Sequence, residues 1–218
     1  MADSKRSLDG IRHFIWDFDG TLFDTYPVII QNLRNALAHF GQDADPVEVM
    51  TLMLDTIPAA QEYYARKFQI PLEELQAAYS TYNRQANAAL VAAPMADARQ
   101  VLEAICQAGG THYIFTHRKL DETCAYLEKY GMRHLFRGII APQMPGFAWK
   151  PAPDALQHLM NLYGFGPEEA VMVGDRQLDL ASGRNAGVAT LHFRCGAVPQ
   201  TLACDWCVDS FRDIQALL

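Results

Sequence analysis

The stretch from Phe14 to Asp24, FIWDFDGTLFD, decides how the rest of the sequence is interpreted. Its first three residues form an apolar run of the kind found in a buried parallel strand. Two carboxylates, a glycine and a hydroxyl follow in DFDGT at positions 17 to 21. Residues two apart on a strand point to the same side, so we expect Asp17 and Asp19 to face one pocket.

Two carboxylates this close predict a cation between them. Like charges resist joint ionisation unless a cation separates them or one group keeps a proton. Oxygen ligands favour a hard cation such as Mg²⁺, and Gly20 lets the backbone approach a ligand and turn its amides toward an anion. The alternative is a strand followed by an Asp-Gly turn whose carboxylates only cap and solvate the loop.

Length and charge limit the class of protein. Half of the 218 residues are hydrophobic, enough for one large domain or two unequal ones. A net charge of −7 without a basic block argues against nucleic acid or an anionic membrane as a partner. The polar start MADSKRSLDG predicts no signal peptide, and no later stretch predicts a membrane span. We therefore expect a soluble, cytoplasmic protein.

The cysteines are odd in number, which fits a reducing compartment; they lie at positions 106, 124, 195, 204 and 207. His192-x-x-Cys195 followed by Cys204-x-x-Cys207 has the ligand types and local spacings of zinc sites. His192 and Cys207 fall in predicted strands, however, where cysteines are usually small buried hydrophobic residues. We favour this structural role over zinc.

Residues 25–93 predict helices without strands. Apolar residues recur at helical spacing over 28–40, and Asp45-Pro46 predicts an N-cap with proline at the first helical position. Residues 71–91, rich in Ala, Leu, Glu and Gln, predict a long helix. The tyrosines of this region fit a bundle core better than a substrate-contacting face.

From Pro94 onward, predicted strands and helices alternate. This alternation indicates an α/β fold with a Rossmann-like parallel sheet, helices on both faces and an inserted all-α domain. We place the core domain at 1–24 and 94–218 and the insert at 25–93. Active sites of such sheets lie at the carboxyl ends of the strands, near the point where strand order reverses.

The side chains that could take part in a reaction fall on one rim of the predicted sheet: Asp17, Asp19, Thr116, Lys150, Asp175 and Asp179. Lys150 lies at the start of the helix before the fourth strand, and the others lie at or after the ends of strands. Phosphoryl transfer needs these types. One carboxylate can attack phosphorus, and a second can protonate the departing alkoxide. Cations, a hydroxyl and backbone amides can hold the phosphoryl oxygens.

Four motifs occur here in order: DFDGT at 17–21, Thr116, Lys150-Pro151 and GDRQLD at 174–179. With them the chain resembles the haloacid dehalogenase (HAD) superfamily of hydrolases. The resemblance is to the subclass with a helical cap, which includes phosphoglycolate phosphatase-like proteins and β-phosphoglucomutase. It covers nearly the whole chain and implies that the insert is the cap.

The resemblance also implies catalytic roles. Asp17 would be the nucleophile and a ligand of Mg²⁺. Asp19 would be the general acid and base and lend its backbone carbonyl to the metal. Thr116 would bind the phosphoryl group, and Lys150 would stabilise its charge and that of Asp17.

The metal set implied in the same way is Asp17, Asp19, Asp175 and Asp179, with the last either a direct ligand or behind the others. The expected substrate-binding set is Gly20, Thr21, His117 and Arg118. Many relatives carry asparagine after the threonine, where this chain has His117 and Arg118. Those two side chains either meet the phosphate or project into a solvated loop.

A carboxylate at Asp19 favours phosphate esters, because the dehalogenating relatives lack one there and a halide needs no proton. The sequence thus predicts a Mg²⁺-dependent, phosphoglycolate phosphatase-like enzyme acting on a small phosphate monoester through an aspartyl phosphate. The alternatives are a phosphosugar mutase of the β-phosphoglucomutase type and a non-catalytic phosphometabolite-binding protein. We expect a small phosphorylated metabolite as the partner, and a monomer or homodimer.

Overall fold

The computed structural model describes residues 7–141, 144, 146–195 and 201–218. The first six residues, part of the segment that predicts no signal peptide, lie outside these ranges. The described chain forms two compact units. One contains the residues up to Phe23 and those from Pro94 onward, and the other contains Asp24 to Ala93.

The larger unit is built on a parallel sheet of six strands in the order β5-β4-β1-β6-β7-β8. Its strands are β1 (His13–Trp16), β4 (Thr111–Phe115), β5 (Phe136–Ile140), β6 (Ala170–Gly174), β7 (Ala189–Phe193) and β8 (Trp206–Val208). Its helices are α5 (Ala98–Gln107), α6 (Leu120–Lys129), α7 (Asp154–Tyr163), α8 (Gln177–Ala186) and α9 (Phe211–Gln215). The predicted α/β fold is confirmed.

The middle strand β1 is buried on both faces, as its apolar run requires. Ile15 belongs to a buried cluster with Leu156 of α7, on one face of the sheet. Trp16 points to the other face, where its ring stacks on Phe211 of α9 at 5.5 Å. The indole N–H of Trp16 also donates to Nδ1 of the buried His112 at 3.0 Å. Helices therefore cover both faces, and the hydrogen bond gives the indole nitrogen a partner inside the core.

Strand order reverses next to β1. The chain passes from β1 to β4 and β5 on one side, and β6, β7 and β8 extend the sheet on the other. Asp17, Thr116 and Asp175 directly follow β1, β4 and β6, three adjacent strands. These residues thus stand side by side at the position where such sheets bind ligands.

The smaller unit consists of four helices, α1 (Tyr26–Ala38), α2 (Pro46–Met53), α3 (Ile57–Phe68) and α4 (Leu72–Ala89). Asp45 caps α2 as predicted, accepting from the amides of Val47 and Glu48. Tyr64 is fully buried, and its hydroxyl donates to Glu48 at 3.0 Å, which agrees with a tyrosine-containing bundle core.

Two short strands, β2 (Phe23–Asp24) and β3 (Ala93–Pro94), pair with each other where the chain leaves and re-enters the larger unit. The sequence did not predict them, because two residues are too few for a periodic pattern. Within the described ranges, no helix is both long enough and apolar enough to cross a membrane.

Candidate active site

A buried lysine joins two carboxylates at the rim of the sheet. Lys150, from the loop between β5 and α7, donates to Oδ1 of Asp17 at 2.6 Å and to Oδ1 of Asp179 at 2.7 Å. All three side chains are at most 2% exposed. One ammonium group faces two carboxylates, so the three side chains together keep a negative charge.

The two carboxylates titrate differently. Burial raises the pKa of Asp17 to about 6, against the attraction of Lys150. Burial acts in the same direction on Asp179, but Lys150, the charge of Arg176 and the hydrogen bonds it accepts hold its pKa below the ordinary value. Because the carboxylates share a single cation, the first proton that they take up goes to Asp17.

The same carboxylates offer a cation site. Asp17, Asp175 and Asp179 each place an oxygen within 4.8 Å of the others. Among the described residues no donor reaches the buried Oδ2 of Asp17. A buried carboxylate oxygen without a donor is costly, and a hard divalent cation would satisfy it. The donor set therefore fits a divalent metal.

Asp179 is better suited to hold Lys150 than to bind a metal directly. Its Oδ1 accepts from Lys150, and its Oδ2 accepts from the Arg176 amide at 3.0 Å. Arg176 was not predicted; it is the N-cap residue of α8, and its amide donates to the side chain of Asp179 three residues later. Glycine at position 174 leaves room for the side chain of Asp179, because a Cβ on residue 174 would lie 2.2 Å from Cβ of Asp179.

Thr21 and Gly20 of the DFDGT motif make hydrogen bonds that stabilise the local structure. Thr21 is buried, and its hydroxyl donates to Oδ1 of Asp175 at 3.4 Å. Gly20 has a φ of +77°, which favours glycine. Its N–H donates to the carbonyl of Phe23 at 2.9 Å. This amide is therefore engaged within the turn, and anion binding by the other backbone amides around Gly20 stays a prediction.

Asp19 is held by an arginine. Arg118 donates to Oδ1 of Asp19 from Nη2 at 2.7 Å and from Nε at 3.1 Å, and its Nη1 pairs with Glu122 at 3.2 Å. The Arg118 amide donates to the hydroxyl of Thr116 at 3.0 Å, which fixes the loop after β4. Arg118 is buried, so the solvated-loop interpretation is wrong for this residue. Glu122 was missed, although it lies four residues further along, at helical spacing.

His117 is only partly exposed, and its ring stands edge-on to Trp149 at 4.7 Å. Burial, together with the positive charges of Lys150 and Arg176, lowers the pKa of His117 to about 4. The ring is therefore neutral near neutral pH. No partner among the described residues reaches its buried Nε2.

The predicted residues thus form two connected groups on one rim. Lys150 links Asp17 to Asp179, and Thr21 links to Asp175. The second group is Asp19, Arg118 and Thr116. Asp17 and Asp19, two residues apart on the chain, connect the groups. Such an arrangement provides a buried carboxylate that could act as a nucleophile, a second carboxylate beside it and fixed positive charge.

The chain is similar in sequence to known hydrolases. The model of the haloacid dehalogenase-like hydrolase family matches residues 14–193. A phosphoglycolate phosphatase from Haemophilus influenzae is 25% identical over 93% of this chain and 96% of its own length. A pyrophosphatase from Halalkalibacterium halodurans is 27% identical over 83% of this chain and 82% of its own length.

Solved structures share the fold. A protein described as a predicted phosphoglycolate phosphatase from Haemophilus somnus superposes with a TM-score of 0.82, at 22% identity over 95% of this chain and 98% of its own. A hydrolase from Deinococcus radiodurans, solved with bound phosphate and sodium, gives a TM-score of 0.79 at 21% identity, over 95% of this chain and 94% of its own.

Proposed function

Since the chain belongs to the haloacid dehalogenase-like hydrolase family, we propose that it is a Mg²⁺-dependent phosphatase that hydrolyses small phosphate monoesters. The observation that most supports the proposal is the buried contact of Lys150 with Oδ1 of Asp17. The other carboxylate oxygen of Asp17, Oδ2, has no donor among the described residues. A carboxylate held this way is oriented, desolvated and close to positive charge, as a nucleophile for phosphorus must be.

The reaction would proceed in two displacements. In the first, a carboxylate oxygen of Asp17 attacks phosphorus, the ester P–O bond breaks and Asp19 gives its proton to the departing alkoxide. In the second, Asp19 takes a proton from water, the water oxygen attacks the aspartyl phosphate and the acyl P–O bond breaks. Asp17 is then a carboxylate again, and inorganic phosphate leaves.

Asp17 and Asp175 would hold the Mg²⁺ ion, with Asp179 keeping Lys150 in place. When bound, the ion would neutralise phosphoryl oxygens and offset the negative charge of the carboxylates. The backbone carbonyl of Asp19 stays a predicted further ligand.

The ion pair with Arg118 opposes the protonation that Asp19 needs in order to act as an acid. A guanidinium at 2.7 Å favours the ionised carboxylate, whereas the first displacement needs a protonated Asp19. Asp19 would therefore act as an acid only when the charge of a bound phosphoryl group draws Arg118 away from Oδ1. Arg118 would thus both bind substrate and control when the proton is available.

We expect the helical unit, and not the larger unit, to determine which substrate is accepted. The helical unit, 25–93, remains the proposed cap, which would exclude bulk water and contact the leaving group. The relatives above are named for two different substrates, phosphoglycolate and pyrophosphate. We propose phosphoglycolate-sized monoesters as the first class to test.

The test is release of inorganic phosphate from a panel of small phosphate esters by the purified full chain with Mg²⁺. We expect Asp17→Asn to abolish release and Lys129→Met, on an exposed residue at the carboxyl end of α6, to leave it unchanged. Full activity of Asp17→Asn would refute the nucleophile. Little net phosphate release, with conversion that depends on a sugar bisphosphate, would identify a mutase instead.

A further inference from the structure

A second cluster of ligand side chains lies where β7 meets β8, outside the candidate active site. His192, Cys204 and Cys207 each offer a ligand atom within 4.8 Å of the others. The parallel register pairs His192 with Cys207 directly, and Cys204 precedes β8. Three members of the zinc-like sequence pattern therefore come together, and Cys195 is not in this group. Because Cys207 is exposed, the interpretation as a small buried hydrophobic residue is wrong for it.

The distances suit one tetrahedral ion. Zinc bonds of about 2.3 Å to sulfur and about 2.0–2.1 Å to nitrogen, at tetrahedral angles, place the two ligand atoms about 3.6 Å apart. The Sγ of Cys207 lies 3.7 Å from Nδ1 of His192. The three side chains need little movement to share a metal.

Hydrogen bonds from neighbouring residues hold Cys204 and His192 in position. The amide and hydroxyl of Thr190 donate to Oδ2 of Asp205 at 2.8 and 2.9 Å, and the Asp205 amide donates to the Thr190 carbonyl at 3.0 Å. These bonds hold Cys204, the neighbour of Asp205, against β7. The Nε2–H of His192 donates to the backbone carbonyl of Asp175 at 3.2 Å, as metal-binding histidines commonly do.

The proton positions also favour a metal. A carbonyl can only accept, so Nε2 of His192 carries the hydrogen and the lone pair of Nδ1 points toward the S–H of Cys207. The S–H of Cys204 donates to the Leu202 carbonyl at 3.4 Å. A divalent ion would displace both thiol protons, and two thiolates with a neutral imidazole balance its charge.

We propose that His192 Nδ1, Cys204 Sγ and Cys207 Sγ bind one thiophilic divalent ion of the Zn²⁺ type, with water in the fourth position on the exposed side. Thiolate ligands select such an ion over Mg²⁺, whereas the carboxylates of the candidate active site prefer the hard ion. The chain would therefore carry two metal sites of opposite preference. They are joined through the bond from His192 to Asp175.

The test is a Co²⁺ titration of the reduced, metal-free full chain in excess Mg²⁺, which keeps the carboxylates occupied. We expect one equivalent of Co²⁺ to produce thiolate-to-cobalt charge-transfer absorption and the visible bands of tetrahedral cobalt. One equivalent of Zn²⁺ should remove both. Cys204→Ser and Cys207→Ser should each weaken the charge-transfer absorption, because one of the two thiolate ligands is removed, and Cys124→Ser, on α6 and outside the cluster, should leave it unchanged.

Absence of thiolate absorption in the unaltered chain would overturn the proposal, and so would an unchanged spectrum in Cys207→Ser. Because Cys207 is exposed, its replacement should not disturb the core, and circular dichroism checks that it does not. The cobalt spectrum measures metal binding alone, so the outcome does not depend on the proposed phosphatase function.

Discussion

Replacing either carboxylate that contacts Lys150 should change stability, but in opposite directions. Burial raises the pKa of Asp17 from 3.8 to about 6, so the folded chain binds a proton on this group more readily than the unfolded chain does. The contribution of Asp17 to the stability of the metal-free protein therefore falls as pH rises from about 4 to about 6 and is constant above that range. Asp17→Asn lacks this decrease.

The size of the effect follows from the same rise in the pKa of Asp17. Each pKa unit corresponds to about 1.4 kcal/mol, so ionised Asp17 costs the folded state about 3 kcal/mol above pH 6. We expect Asp17→Asn to be more stable than the unaltered chain by up to this amount at about pH 7.5, and equally stable near pH 4. Excess Mg²⁺ should reduce the difference, because it stabilises the ionised carboxylate.

Asp179→Asn is the matched control. The pKa of Asp179 is lowered, so its ionised form stabilises the fold above the ordinary value of 3.8 and this contribution is lost only as pH falls further. Asp179→Asn should thus be less stable by about 1.5–3 kcal/mol at neutral pH, the usual range for a charged hydrogen bond. The assay is urea unfolding in chelator, followed by circular dichroism across pH. Destabilisation in both variants, or a pH-independent gain in Asp17→Asn, would refute the reasoning.

Three further predictions concern Lys150, Arg118 and Gly174. Lys150→Met should destabilise the chain by about 3–5 kcal/mol near neutral pH, and less near pH 5, because two buried carboxylates lose their cation; urea unfolding measures this. Arg118→Met should make Asp19 easier to protonate, so the alkaline limb of the pH–rate profile for phosphate release should move to higher pH; an unmoved limb would contradict the pairing. Gly174→Ala should lower both the unfolding midpoint and activity, because the added Cβ would lie 2.2 Å from Cβ of Asp179. Gly41→Ala meets no neighbour but is strained by its φ of +71°, so it should lower the unfolding midpoint and leave activity unchanged.

The fold was predictable because its signals are local. The apolar run before Asp17, the helical spacing before Gly41 and the Asp45 cap each depend on neighbouring residues, and all three correspond to elements of the structure. The rim followed from topology, since the carboxyl ends of parallel strands meet at one edge.

What could not be predicted depends on contacts between distant segments. The pairing of Arg118 with Asp19 requires the loop after β4 to turn inward, and the hydroxyl of Thr116 provides this turn by accepting from the Arg118 amide. The approach of Cys207 to His192 requires the register of an edge strand, which no local pattern specifies. Sequence periodicity suggested burial there, whereas the edge position leaves Cys207 exposed.

The edge-on contact of Trp149 with His117 gives the protein a built-in optical reporter. Trp149 directly precedes Lys150 and is 53% exposed, whereas Trp16, directly before Asp17, is fully buried. A ligand that dehydrates the rim or recharges His117 should shift the emission of Trp149 and leave that of Trp16 constant. Occupancy of the rim would then be visible in a variant that cannot turn over, such as Asp17→Asn, separately from any chemistry.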